Sequence, residues 1–199
     1  MMIKEDYTHT ISFFDARALH WDDTHRSISP SRSQAVRLAV RERGAAILDI
    51  GCGTGVLFPE LLAREPSTLV GVDISSGMAA RAREKFDHVS ELRVLCMDIL
   101  AFEETGFDCA IIYNAYPHFP DKERLIGHVA SLLRPGGRLT VAHSRGREQI
   151  NRCHANIPAG VAVELRPACE ESIQWQPWFH VDVQIDTADL YIISGTTYN

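Results

Sequence analysis

The residues best placed to do chemistry lie between Asp49 and Asp98. Asp49-Ile50-Gly51-Cys52-Gly53-Thr54-Gly55 sets glycines at alternate positions directly after the apolar run Ala45 to Ile50. Glycine allows a sharp turn and lets a ligand approach the backbone with no Cβ in the way. Cys52 contributes its backbone to such a turn, and Thr54 and Gly55 complete it. Asp73 lies 22 positions beyond Gly51, at the end of a second apolar run. There a carboxylate can accept hydrogen bonds from both hydroxyls of an adenosine ribose. Asp98, in Cys96-Met97-Asp98-Ile99, is placed to receive an adenine amino group while Ile99 packs on the ring. Met78 is a second side chain suited to an adenine face, with a core position as its other reading.

Particular elements must bring these residues together. AAILDI (45–50), TLVGVDI (68–74), Leu92 to Met97, FDCAIIY (107–113) and RLTVA (138–142) read as buried strands. Helical spacing marks Val56 to Arg64, Gly77 to Phe86 and Lys122 to Leu133, the last stopped by Arg134-Pro135-Gly136-Gly137. Gly71, inside the second strand, marks close packing against the first of these helices. Strands alternating with short helices imply parallel βαβ units and a sheet covered on both faces. His180 to Ile185 and Tyr191 to Thr197 are separated by too short a turn for a helix, so they pair as an antiparallel hairpin at the sheet edge. The expected fold class is α/β: a single doubly wound, Rossmann-like domain whose seven-stranded, mainly parallel sheet has its last strand antiparallel. Residues 1–43, with amphipathic helices over Ser12 to Trp21 and Ser33 to Arg43, precede a nucleotide-binding core at 45–142. A cap segment (143–178) and the hairpin (179–199) follow, and within the cap Asn156 to Trp178 reads as a lid or capping loop.

Composition narrows the function. Hydrophobic residues at 45% supply a substantial core, so folding needs neither disulfides nor a structural metal. A net charge of −6 argues against a nucleic acid partner, which needs a basic face. No stretch approaches the roughly 20 apolar residues of a membrane span, and the N-terminus lacks the apolar core of a secretory signal. Five cysteines without a C-x-x-C pair suit reduced thiols. The expectation is a cytoplasmic protein that acts on a small molecule, away from membranes; assembly as a homodimer stays open.

With these residues in view, the sequence resembles the class I S-adenosylmethionine-dependent methyltransferases. The likeness runs from Ala45 to Ala142 through DIGCGTG, GVDIS, MDI, FDCAIIYNAYPHF and LLRPGGRL. Phe13-Phe14-Asp15 to Trp21-Asp22 looks like the N-terminal helix of the small-molecule branch, which folds over the cofactor. The resemblance implies S-adenosyl-L-methionine as cofactor, S-adenosyl-L-homocysteine as product, and methyl transfer to a small O, N or S nucleophile. It implies cofactor contacts from Asp49, Gly51, Cys52, Gly53, Thr54, Gly55, Asp73, Ile74, Met78, Asp98, Ile99 and Asn114, and acceptor contacts from Trp21 and Tyr116. Two other readings stand beside it: a nicotinamide-nucleotide oxidoreductase and a non-catalytic cofactor-binding protein. Against the oxidoreductase, Val56 stands where the G-x-G-x-x-G fingerprint needs its third glycine. Asp49 would also repel a diphosphate, whereas it suits the cationic sulfonium and ammonium of S-adenosylmethionine.

In that family the end of the fourth strand faces the transferable methyl group. Here it reads Tyr113-Asn114-Ala115-Tyr116-Pro117-His118-Phe119-Pro120, a departure from the Asn-Pro-Pro-Tyr pattern of enzymes acting on bases and glutamine. His118 is a candidate general base, since imidazole titrates near neutrality; a surface-loop histidine is its other reading. Beyond the fifth strand, His143 sits at the strand end. If residues 146–155 are helical, Arg147, Asn151 and His154 share one face. Three readings remain for this group: recognition of an anionic substrate by Arg147 with His143 or His154 as base, a metal held by His143 and His154, or a helix facing solvent. The spacing is not a known zinc signature, and no metal is expected.

Overall fold

A computed structural model describes residues 7–25 and 30–198. Residues 1–6, 26–29 and 199, which belong to the expected N-terminal unit and hairpin, lie outside the described residues. Three helices, α1 (Thr8–Asp15), α2 (Trp21–His25) and α3 (Pro30–Ala39), precede β1 (Ala46–Ile50). Then come α4 (Phe58–Leu62), β2 (Thr68–Asp73), α5 (Ser76–Phe86), β3 (Leu92–Cys96), β4 (Phe107–Tyr113), α6 (Lys122–Leu132) and β5 (Leu133–His143). The chain closes with α7 (Arg147–His154), α8 (Ala168–Glu171), β6 (Phe179–Asp186) and β7 (Tyr191–Thr197).

The strands form one seven-stranded sheet in the order β3-β2-β1-β4-β5-β7-β6. Strands β1 to β5 pair in parallel, and β7 runs antiparallel between β5 and β6. Alternation along each strand sends its side chains to opposite faces. Leu48, Ile50, Val70, Ala110 and Ile112 enter a cluster shared with α6, α7 and α8. Ile47, Leu69, Cys109 and Ile111 enter another, built with α3 and α4. Both faces are buried, so the strands read as continuous apolar runs. Among the described residues no helix is long and apolar enough to cross a membrane.

Two expectations need correction. The helix expected over Val56 to Arg64 is only Phe58–Leu62, because the glycine loop continues through Leu57 as turns. Strand β5 begins at Leu133, which pairs with Phe107; the register then slips so that Cys109 faces Arg138, with Gly136 at φ +74° in the intervening bulge. The stretch from Asn156 to Trp178, read as a lid or capping loop, packs against the core and carries α8. Trp175 is fully buried against Phe179 at 5.5 Å between ring centroids, and Trp178 fills the space left by Gly127.

Gly71 answers a packing demand. A Cβ there would meet Phe58 Cζ at 2.7 Å and Cys52 Sγ at 3.0 Å. Gly71→Ala therefore overpacks the junction of β2, α4 and the glycine loop, and should destabilise the protein by about 1–3 kcal/mol in chemical denaturation.

Candidate active site

The glycine loop leaves β1 at the carboxyl edge of the sheet. Gly51, Gly53 and Gly55 all take left-handed conformations, with φ of +67°, +56° and +80°. The loop is fastened to β2: the Gly51 and Cys52 amides donate to the Val72 carbonyl, and the Gly53 amide donates to Asp73 Oδ2 at 2.8 Å. Asp73 Oδ1 accepts from the Ser75 amide at 2.9 Å. At Gly51 a Cβ would meet Ala115 Cβ at 2.7 Å, whereas at Gly53 it would meet no atom within 4 Å. Gly51 thus serves close packing against the end of β4, and Gly53 keeps open the space it borders. Gly55 takes the packing role, because a Cβ there would strike the Phe58 ring.

A cavity of about 440 Å³ runs along this edge. Gly51, Cys52, Gly53, Thr54, Asp73, Ile74, Met78, Asp98 and Ile99 line one half. Tyr7, Thr10, Phe14 and Trp21, from the N-terminal segment, also line it. Two carboxylates hold that segment down. Asp15 accepts from the Gly77 amide at 2.8 Å and from the hydroxyls of Ser75 and Ser76 at the start of α5. Asp22 accepts from Thr54 Oγ1 at 2.6 Å and pairs with Lys85 Nζ at 2.8 Å. Burial pushes the Asp22 carboxyl up, but Lys85 and Thr54 outweigh it, leaving it below its ordinary range. These fasteners went unrecognised in the sequence, where Phe14 and Trp21 were the conspicuous residues.

Asp49 sits behind the loop, 2% exposed, and its Oδ2 has no hydrogen-bond partner among the described residues. Burial, with the nearby Asp73 carboxylate, pushes its pKa up to about 8. Asp73 is also raised, by burial that its two backbone hydrogen bonds only partly offset.

The other half of the cavity is imidazole-rich. Asn114, at the end of β4, is held at φ +56°. Its Oδ1 accepts from the Ser144 amide at 2.8 Å and its Nδ2 donates to Ser144 Oγ at 3.2 Å, so its side chain ties the end of β4 to the end of β5. His118 Nδ1 lies 2.8 Å from the Val161 carbonyl. A carbonyl can only accept, so Nδ1 carries the proton and Nε2 presents a lone pair. Burial and neighbouring His154 push the His118 pKa down to about 4. His143 is pushed down to about 3 by burial and by His118, His154 and Lys122, and its buried Nε2 has no partner among the described residues. The His154 ring stacks edge-on to His118 at 5.2 Å, and burial lowers its pKa too.

Three expected acceptor contacts do not reach the cavity. Tyr116 is fully buried, donating its hydroxyl to Glu171 at 2.9 Å. Arg147 Nε donates to Asp186 at 2.9 Å, and Asn151 exchanges hydrogen bonds with both backbone groups of Leu165. Helix α7 turns Ile150, Cys153 and His154 to the cavity instead. Buried Ile150 sets this face, one step around the helix from the polar stripe. Arg145, Ser144, Met97 and Phe119 line the cavity; the sequence offers Arg145 only as one of a basic cluster with Arg147 and Arg152, and gives none of the four a role in the site. Among the described residues, no group of three or more His, Cys, Asp or Glu side chains could hold a metal ion.

A glycine loop at the carboxyl end of β1, an acid ending β2 and another just beyond β3 define a nucleoside-binding α/β enzyme site. Comparison with known proteins sharpens this. A methyltransferase-domain family profile matches residues 47–137. A ubiquinone biosynthesis O-methyltransferase of Coxiella burnetii is 31% identical over 115 residues, which are 56% of this chain and 49% of that one. A demethylmenaquinone methyltransferase of Thermus thermophilus is 39% identical over 114 residues, covering 55% and 52% of the two chains. The chain spans about half the length of these curated relatives. The crystal structure of the N-methyltransferase NodS from Bradyrhizobium japonicum with S-adenosyl-L-homocysteine superposes with a TM-score of 0.77 over 96% of this chain and 100% of that one. At 18% identity this last likeness speaks to fold alone. Over residues 47–137 this chain is similar to the methyltransferase-domain family, and the cofactor that this similarity implies is S-adenosyl-L-methionine.

The residues present fit that cofactor. Asp49 Oδ2 is buried with no hydrogen-bond partner among the described residues, Gly53 opens onto free space, and Asp73 and Asp98 border the cavity. Asp49 titrates at 3.8 ordinarily and near 8 in the fold. A folded pKa raised in this way means stability present below about pH 4 and lost as pH rises toward 8. In thermal melts without ligand, Asp49→Asn should gain stability relative to the wild type as pH goes from 5.5 to 8. Its affinity for S-adenosylhomocysteine should fall at least tenfold by calorimetry; a pH-independent difference in melting would mean that Asp49 titrates normally.

Proposed function

We propose that this chain transfers the methyl group of S-adenosylmethionine to a small-molecule nucleophile. The observation carrying this reading is the division of the sheet's carboxyl edge. Asp98 and Asp73 line the cavity just beyond β3 and at the end of β2, with Asp49 buried behind the glycine loop in β1, while His118 and His143 line it beyond β4 and at the end of β5. The acidic half suits a cationic nucleoside, and the imidazole half suits an acceptor that must lose a proton. The named acceptor of the Thermus relative, demethylmenaquinone, is likewise a small molecule.

The bound cofactor supplies an already activated methyl group on its sulfonium. The protein's task is then alignment, exclusion of water and proton removal. Phe14 and Trp21 cover the cavity from the N-terminal segment, and the Phe14 ring packs edge-on to His118 at 4.8 Å. His118, locked by Val161 with its lone pair on Nε2, takes the acceptor proton. His143, buried, and His154, half-buried, complete this imidazole wall, and burial lowers the pKa of both side chains. The same division of charge disfavours a diphosphate, and the reduced-thiol pattern supports a cytoplasmic setting.

Calorimetry should detect S-adenosylhomocysteine binding and no comparable binding of NADH; the reverse result would remove the reading. Once an acceptor is supplied, His118→Gln should lower kcat by about 10²–10⁴-fold while leaving cofactor affinity near the wild-type value. An unchanged kcat would assign proton removal elsewhere.

A further inference from the structure

Two arginines line the cavity, and their surroundings differ. Arg32 pairs with Glu60 at 3.3 Å. Arg145, just beyond β5, donates to the Cys153 thiol at 3.5 Å and has no carboxylate partner among the described residues. A thiol is a weak acceptor, so the guanidinium keeps most of its hydrogen-bonding capacity. By contrast, Arg147, two positions on, is neutralised by Asp186, and Arg138 is held bidentately by Asp182.

Arg145 also sits on a particular side of the cavity. Cys153 adjoins His154 on α7, and the His154 ring lies against His118. The carboxylates lining the cavity are Asp73 and Asp98, at β2 and just beyond β3, on the opposite half. The acceptor half therefore combines an exposed cation with no carboxylate partner among the described residues, an imidazole lone pair and the apolar surfaces of Phe14 and Phe119. An ammonium would be repelled by Arg145 and would find no carboxylate there. A thiol ionises readily near neutrality and needs no such base. A hydroxyl needs one.

We propose that the acceptor is a small hydroxy acid whose carboxylate pairs with Arg145 and whose hydroxyl donates to Nε2 of His118. Arginine is suited to this because its planar fork meets both oxygens of a carboxylate. The inference rests on the methyl-transfer reading. In the step it implies, the O–H bond breaks and its proton goes to His118 Nε2. The oxygen forms the new bond to the methyl carbon, and the S–CH₃ bonding pair stays on sulfur as S-adenosylhomocysteine leaves. Arg145 selects the acceptor by charge and takes no part in the proton transfer.

The test uses the full chain saturated with S-adenosylhomocysteine, titrated with the three isomeric hydroxybenzoates, their methyl esters and benzylamine. The same panel is then assayed for turnover with S-adenosylmethionine. At least one hydroxybenzoate should bind at least tenfold tighter than its ester and be methylated at its hydroxyl. Arg145→Gln should erase that preference, Arg145→Lys should keep part of it, and both variants should bind S-adenosylhomocysteine as the wild type does. Esters that bind as well as acids, a preference surviving in Arg145→Gln, methylation of benzylamine alone, or no methylated hydroxybenzoate would each overturn the proposal. Failure of the wild type to bind S-adenosylhomocysteine would instead strike the methyl-transfer reading beneath it.

Discussion

A buried carboxylate with an oxygen that finds no hydrogen-bond partner among the described residues, as Oδ2 of Asp49 does, disfavours the folded chain whenever it is ionised. Yet it occupies the central region of the sheet, between strands that supply most of the core. The flanking structure makes its presence tolerable. Apolar strands on both sides hold β1 in register, and the glycine loop folds over its end. Asp73, the nearest other acid, is satisfied by two backbone amides, so the pair of acids is not doubly unpaired. A bound cation would turn the unfavourable burial into a favourable interaction, because low dielectric strengthens attraction as much as it penalises isolation.

The remaining architecture extends from that centre. The N-terminal segment attaches to α5 and the glycine loop, on the acidic half. The cap between α7 and β6 attaches to the turn carrying His118, on the imidazole half. Val161 of the cap orients the His118 ring, and Glu171 of the cap holds Tyr116 two residues before it. Tyr116 thereby acts at a distance from any ligand, as an anchor for the turn on which His118 sits.

Most of the sheet was legible in the sequence because a strand buried on both faces leaves an unbroken apolar run, and because glycines and acids punctuate the ends. The hairpin was legible for a topological reason: its connection is too short to cross the sheet. The acceptor side was less so. Arg147, Asn151 and His154 share a face by spacing, but spacing does not say which face meets the core; Ile150 decides that, and only packing reveals it. Tyr116 and Arg145 illustrate the same limit. Both are polar residues near strand ends, and their roles depend on Glu171, fifty-five positions away from Tyr116, and on Cys153. Asp15 and Asp22 were visible as residues but not as fasteners, since their partners lie sixty or more positions distant from Asp15 and Asp22 at Ser75 and Lys85.

The fastening of the N-terminal segment has a consequence for how it responds to salt. The pair between Asp22 and Lys85 is about one-third exposed on each side, and the Asp15 contacts lie at the rim rather than in the core. Dissolved ions screen such rim contacts far more than they affect the packed sheet beneath. Ionic strength therefore weighs on the contacts that seat the N-terminal segment more than on the packed strands and the acids they carry.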